Sequence, residues 1–214
     1  MEKYPSLKEC EEIQKKYCMP ENIKKHCEQV SAVAVFLAKK LNENGIEVDV
    51  EILRVAGLLH DIARPLDFAD ITKSYLPPTD VEIKTWQKLK EDYPNKFHHD
   101  AGYEIFKNDY PILAVVIRKH VHKALLFDKP ETWEEKILNY ADKRVAHTNI
   151  VTIKERENEG RARWFNDHPN FKDQNVTEMD QVFELNVKFE KELFDIISID
   201  PDNLKEELEK ERRK

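Results

Sequence analysis

With 214 residues, the chain is long enough to bury a sizeable core and corresponds to one domain, or to a domain with a helical extension. Only 4 Gly and 10 Pro stand against 36% charged residues, too few turn formers for a sandwich or barrel of many short strands, so the composition leans all-α. Lysine and arginine number 35 and aspartate and glutamate 42, a net charge of −7 that favours solubility and argues against a nucleic-acid footprint. The longest apolar run, residues 30–38 with Ser31 inside it, falls well short of the ~20 residues of a membrane span. The start, Met-Glu-Lys-Tyr-Pro, lacks the basic-then-apolar order of a signal peptide, so a cytoplasmic, non-membrane protein is expected. Cys10, Cys18 and Cys27 are odd in number and have no C-x-x-C spacing, which fits reduced thiols.

In chain order, the helical period first shows over residues 6–17 and stops before Met19-Pro20. A long helix follows from Pro20, with His26, Val30, Val33, Ala34, Leu37 and Leu41 on one face and Asn44-Gly45 as its stop. A third helix is predicted over residues 48–63, ended by Pro65, with His60 and Asp61 in its last turns. Residues 66–97 read as a connector or lid around a helix near 81–91. Helices are then predicted over 99–107, 111–126 and 130–147, with Pro111 and Pro130 near two of the starts. Short loops between them suggest antiparallel neighbours. Beyond His147 come a charged segment near 150–165, a polar break at 166–175, a helix near 179–197, and a highly charged final helix after Asp200-Pro201 that is expected to be solvated. The implied organisation is an N-terminal helix (1–19), a central helical domain (20–150) and a C-terminal helical extension (151–214).

Histidine and aspartate at apolar helix positions are costly unless paired, hydrogen-bonded or bound to metal, so their placement carries information. His26 lies on the stripe of the second helix, His60 and Asp61 close the third, and Asp142 sits beside Leu138, Ala141 and Val145. A single such residue is more often a hydrogen-bonded core group; four together form the donor set that suits Zn, Mn, Fe and related divalent ions. The 34 residues between His26 and His60 allow a helix, a turn and a return helix, so both could reach one level of a bundle.

This order, a single His, then Leu-Leu-His60-Asp61-Ile-Ala-Arg64, then Tyr-Ala-Asp142-Lys, resembles the HD superfamily of metal-dependent phosphohydrolases over roughly residues 26–144. The resemblance implies an all-α HD-domain bundle in which His26, His60, Asp61 and Asp142 hold a metal ion. His98-His-Asp-Ala-Gly102 and Ile117-Arg-Lys-His120 resemble the further histidine positions of dinuclear branches. By that likeness His98 and His120 hold a second ion, Asp61 bridges, and the cofactor is two divalent ions among Fe, Mn, Zn, Co and Ni. His99 beside His98 is an alternative register, as is His122, which would point about 200° from His120 on an ideal helix. The implied reaction is attack of an activated water on a phosphoester or phosphoanhydride of a small nucleotide-like substrate, with Asp61 and Arg64 as catalytic residues and Arg64, His99 and Lys143 contacting substrate.

The length and the extra histidines resemble diadenosine tetraphosphate hydrolases and small uncharacterised archaeal and bacterial HD proteins. The segment after Asp142 departs from the former, so their substrate does not carry over. The same ligand set also serves mixed-valence di-iron oxygenases of this fold. An inactive metal-binding module is a third alternative, disfavoured by six polar groups aimed at one core. Trp86, Trp133 and Trp164 are expected to be core or interface anchors, and His147 and His168 solvent residues. A homodimer is compatible with all of this.

Overall fold

The computed structural model describes residues 4–72, 76–167 and 174–213. Among these, eleven α-helices and one two-stranded antiparallel hairpin account for the regular structure, the all-α class expected from composition. No helix of the described residues is long and apolar enough to cross a membrane. The three cysteines are free thiols.

Helix α1 (Leu7–Lys16) opens on a reciprocal Ser6–Glu9 capping box. It is laid across the bundle by Gln14, whose Nε2 donates to the Leu58 carbonyl at 2.9 Å. Helix α2 (Glu21–Glu43) buries the anticipated stripe of Val30, Val33, Ala34, Leu37 and Leu41 and ends at Asn44, with Gly45 in the left-handed region (φ +81°). Helix α3 (Val50–Leu59), capped by the Asp49 carboxylate, returns antiparallel beside it. It stops four residues earlier than the predicted end at Ala63, because Pro65 has no N–H and disfavours helical geometry before it. The chain instead passes through a turn into a 3₁₀ segment, Arg64–Asp67, which leaves His60 and Asp61 at a helix end.

The packing of α2 on α3 depends on Gly57. A Cβ at this position would stand 2.7 Å from the Ser31 nitrogen, so only glycine lets the two backbones meet there. Ser31 Oγ closes the contact by donating to the Arg54 carbonyl at 2.8 Å. His26 lies five residues before Ser31 and His60 three after Gly57, and their ring centroids end 5.5 Å apart.

Within the connector, α4 (Asp80–Asp92) begins on a Thr79–Glu82 capping box and is held down by Trp86, which is buried and donates its indole N–H to the Cys18 carbonyl. Helix α5 (His98–Phe106) packs on α6 (Pro111–Arg118). The helix predicted over 111–126 is split: α7 (Ala124–Phe127) starts only after a turn containing His120. Asn139 is the reason, since its amide draws the Lys119 and Val121 carbonyls out of the helical ladder at 2.8 and 3.0 Å. Asn139 belongs to α8 (Trp133–Lys143), which is shorter than the predicted 130–147; strands β1 (Val145–Ala146) and β2 (Asn149–Ile150) follow, joined through His147 at φ +55°.

The C-terminal part comprises α9 (Ile153–Asp167), α10 (Gln174–Ile197) and α11 (Leu204–Arg212). It is fastened by Arg144, which is buried beneath it. The guanidinium donates to the Val151 and Pro201 carbonyls, the Tyr140 hydroxyl and the Glu190 carboxylate. The final helix is not wholly solvated as expected: Leu204 and Leu208 are buried where α11 meets α2, because the apolar residues among its charges recur at a four-residue spacing. His168, the Trp164 side chain and most of the polar break lie outside the described residues.

The Gly57 contact yields a direct test. The Gly57→Ala variant should lose about 1–3 kcal/mol in chemical denaturation, the cost of overpacking, and should bind metal more weakly because His26 and His60 are pushed apart.

Candidate metal centre

Five segments converge at one end of the bundle. Helix α2 supplies His26, the end of α3 supplies His60 and Asp61, α5 opens with His98, the Asn139-held turn presents His120, and α8 brings Asp142. All but the half-buried His26 are buried.

The four imidazoles are held in one tautomer by what their Nδ1 atoms touch. His60 Nδ1 lies 2.9 Å from the Gly57 carbonyl, His120 Nδ1 2.6 Å from the Ile117 carbonyl, and His26 Nδ1 3.0 Å from the His147 carbonyl. The Asp67 carboxylate takes the same role for His98 Nδ1. Each partner is an acceptor, so each Nδ1 carries a proton and each Nε2, the atom left to bind a metal, is turned inward. The Nε2 atoms face one another and the carboxylates. His98 Nε2 and His120 Nε2 stand 3.1 Å apart, and His26 Nε2 is 3.0 Å from Asp142 Oδ1. With both Nδ1 atoms protonated, the His98 and His120 Nε2 atoms are two acceptors that cannot hydrogen-bond to each other. Zn–N bonds of about 2.0–2.1 Å place neighbouring ligand nitrogens roughly this far apart. His60 Nε2 and Asp61 Oδ1 are buried without a hydrogen-bond partner, the kind of orphan that calls for an ion. The donor set therefore fits a metal.

Asp61 lies between two groups of donors. Its Oδ2 is 3.8 Å from His60 Nε2, on the side of His26 and Asp142, while its Oδ1 is 3.3 Å from His98 Nε2 and 3.7 Å from His120 Nε2. Donor atoms of His26, His60 and Asp142 fall within 4.8 Å of one another, as do those of His60, Asp61 and His120.

The remaining expected residues are placed differently from one another. Arg64 is about a third exposed at the mouth, with Nη1 4.0 Å from Asp61 Oδ1 and 3.4 Å from Asp67 Oδ2. His99 is outside the donor set: it stacks on Phe97 and turns Nε2 toward Asp100, 3.6 Å away. Lys143 is buried, and its ammonium donates to the His120 carbonyl and the Asp142 carboxylate, so its donors are engaged within the protein. His122 is exposed and lines a separate cavity. Sequence reasoning passed over Asp67, Asn139 and the exposed His147, whose carbonyl orients His26. The spacing Arg64-x-x-Asp67 placed an acid one turn beyond the motif, while backbone carbonyls leave no trace in side-chain patterns.

Comparison with known proteins agrees with this geometry. Residues 23–146 match the HD domain family. This chain belongs to the HD domain family. Uncharacterized protein MJ0778 of Methanocaldococcus jannaschii is 30% identical over 152 residues, covering 71% of this chain and 83% of that protein. Dihydroneopterin 2',3'-cyclic phosphate phosphodiesterase of the same organism is 26% identical over 130 residues, covering 60% of this chain and about half (48%) of the relative. No solved structure matches the chain.

The electrostatics of the HD centre prepare its ligands unequally. Burial pushes His120 down to about 3, so it is neutral and available at any physiological pH. Burial alone would raise the two aspartates, but nearby cations outweigh it. Asp61 is held well below the carboxylate range mainly by Arg64 and His60, and Asp142 mainly by Lys143. His60 is the exception. Burial opposes its charge, yet it is raised well above the usual histidine range. Because burial keeps Cys27 a neutral thiol, the carboxylates of Asp61 and Asp142 are the charges that hold this proton. A metal must displace it, so affinity should rise about tenfold per pH unit until His60 deprotonates by itself. Calorimetric titration of the metal-free protein in buffers of different ionisation enthalpy should register about one proton released; no release would refute the assignment.

Proposed function

We propose that this HD domain protein is a metal-dependent phosphohydrolase that cleaves a phosphoester or phosphoanhydride bond of a small nucleotide-like substrate, with two divalent ions bridged by Asp61. The observation carrying the reading is the set of four inward-facing Nε2 atoms arranged around the two oxygens of Asp61. His26, His60 and Asp142 are assigned to one ion and His98 and His120 to the other. When bound, such ions activate water for attack at phosphorus and neutralise charge on the phosphate oxygens. The protein's own groups do the rest. Asp61 keeps its oxygens divided between the two donor groups, and Lys143 fixes Asp142 from behind. Arg64 offers its planar guanidinium to the phosphate at the mouth, with Asp67 holding both Arg64 and His98 in place. His99, close to His98 but outside the donor set, is positioned at the rim as a substrate contact. The relative that acts on a cyclic phosphodiester supports including phosphodiesters in the substrate class.

Metal content by elemental mass spectrometry, on protein purified without chelator or affinity metal, tests the centre. About two ions per chain are expected, lost in Asp61→Ala together with hydrolysis of nucleotides, cyclic nucleotides and dinucleotide polyphosphates. Arg64→Ala should retain the ions and lose roughly 10²-fold in kcat/KM, the scale of one lost charge-stabilising donor, with Arg64→Lys recovering part of it. Full activity in Asp61→Ala, or activity that requires dioxygen, would defeat the proposal.

A further inference from the structure

A cavity of about 330 Å³ opens where the C-terminal extension covers the turn after His120. Its walls come from two sources: His122, Lys123 and Leu126 from the HD domain, and α9 and α10 from residues beyond the family match. The volume is at the lower end of what small-molecule sites occupy. Leu126, Met179 and Val182 give it an apolar wall. Against a chain of net charge −7, its lining carries four cations, Lys123, Arg156, Arg161 and Arg163, and two carboxylates, Glu157 and Glu178. Carboxylates just outside the lining pair with most of these cations, Glu159 with Arg156 and Arg163 and Asp180 with Arg161.

Arg156 gives the cavity its direction. One end of its guanidinium is engaged, Nη1 donating to Glu159 Oε2 at 3.1 Å, but Nε is buried and has no acceptor in the structure. A buried, unpartnered donor on a charged group is expensive, and an anionic ligand in the cavity would satisfy it. Arg161, by contrast, is paired with Glu157 and Asp180 and serves to join α9 to α10. The cavity lies close to the metal centre along the chain: His122, in its wall, is two residues beyond His120 in the turn that Asn139 holds.

We infer that this cavity is the specificity pocket, taking the non-reacting part of the substrate: a nucleoside-sized group, packed on Leu126, Met179 and Val182, that carries a second anion facing Arg156. The inference rests on the reacting phosphate lying at the metal centre. It assigns a role to the extension, since α9 and α10 supply the Arg156 donor and most of the apolar wall.

Calorimetry on the metal-loaded, full-length protein tests it with four probes: adenosine 3',5'-bisphosphate, adenosine 5'-monophosphate, adenosine and inorganic phosphate. The bisphosphate should bind at least about tenfold more tightly than the monophosphate, because Arg156 contacts the second anion. Arg156→Gln should abolish that advantage, and Met179→Trp, which fills the cavity, should weaken both nucleotides. Inorganic phosphate, which does not pack on the apolar wall, should bind the wild type and Met179→Trp alike. Equal affinity of the two nucleotides for the wild type, or an undiminished preference in Arg156→Gln, would overturn the pocket. Hydrolysis of bis-p-nitrophenyl phosphate by the wild type reports separately on the metal centre. Hydrolysis without bisphosphate preference defeats the pocket alone, and bisphosphate preference without hydrolysis supports it while defeating the catalytic reading.

Discussion

The near-contact of two helix backbones at Ser31 and Gly57 sets the geometry on which the rest of the molecule depends. Because α2 and α3 touch without an intervening side chain, histidines at the ends of their facing stripes arrive at one level. Gly57 also supplies the carbonyl that orients the His60 ring. One residue without a side chain thus sets both the distance between two candidate ligands and the tautomer of one. Helix–helix packing and donor placement are here the same constraint seen at two scales.

A second layer surrounds the donors and contains no ligand. The Gly57, Ile117 and His147 carbonyls and the Asp67 carboxylate each take one imidazole proton, and Lys143 and Asn139 hold Asp142 and the His120 turn. Such neighbours fix orientation and basicity, and their loss typically weakens a metal site even when every ligand remains. In this chain the layer is built largely from the places where helices stop: the end of α3, the break between α6 and α7, and the end of α8. The irregular backbone there frees carbonyls that a continuing helix would have consumed.

The helical class, the stripe of α2, and the convergence of His26, His60, Asp61 and Asp142 were legible in the sequence, because polar residues at apolar positions stand out against a 3.6-residue period. His98 and His120 were legible only through the likeness of their segments to the further histidines of dinuclear HD branches. The helix ends were less legible. Periodicity ran straight through residues 119–123 and past residue 143, since the agents that interrupt it, Asn139 and Arg144, act across space. The role of Lys143 was hidden for the same reason: a lysine beside a ligand has the same pattern whether it faces substrate or turns inward toward a carbonyl. The apolar underside of α11 was masked by the density of charge around Leu204 and Leu208.

Arg144 has a further consequence, one of timing during synthesis. Its guanidinium is satisfied by groups as far along the chain as Glu190 and Pro201, yet it immediately follows the α8 turn that presents Asp142. A nascent chain that has emerged only as far as β2 has every proposed ligand but leaves this cation without Glu190 and Pro201. Completion of the Arg144 cluster therefore waits until α10 and Pro201 have left the ribosome.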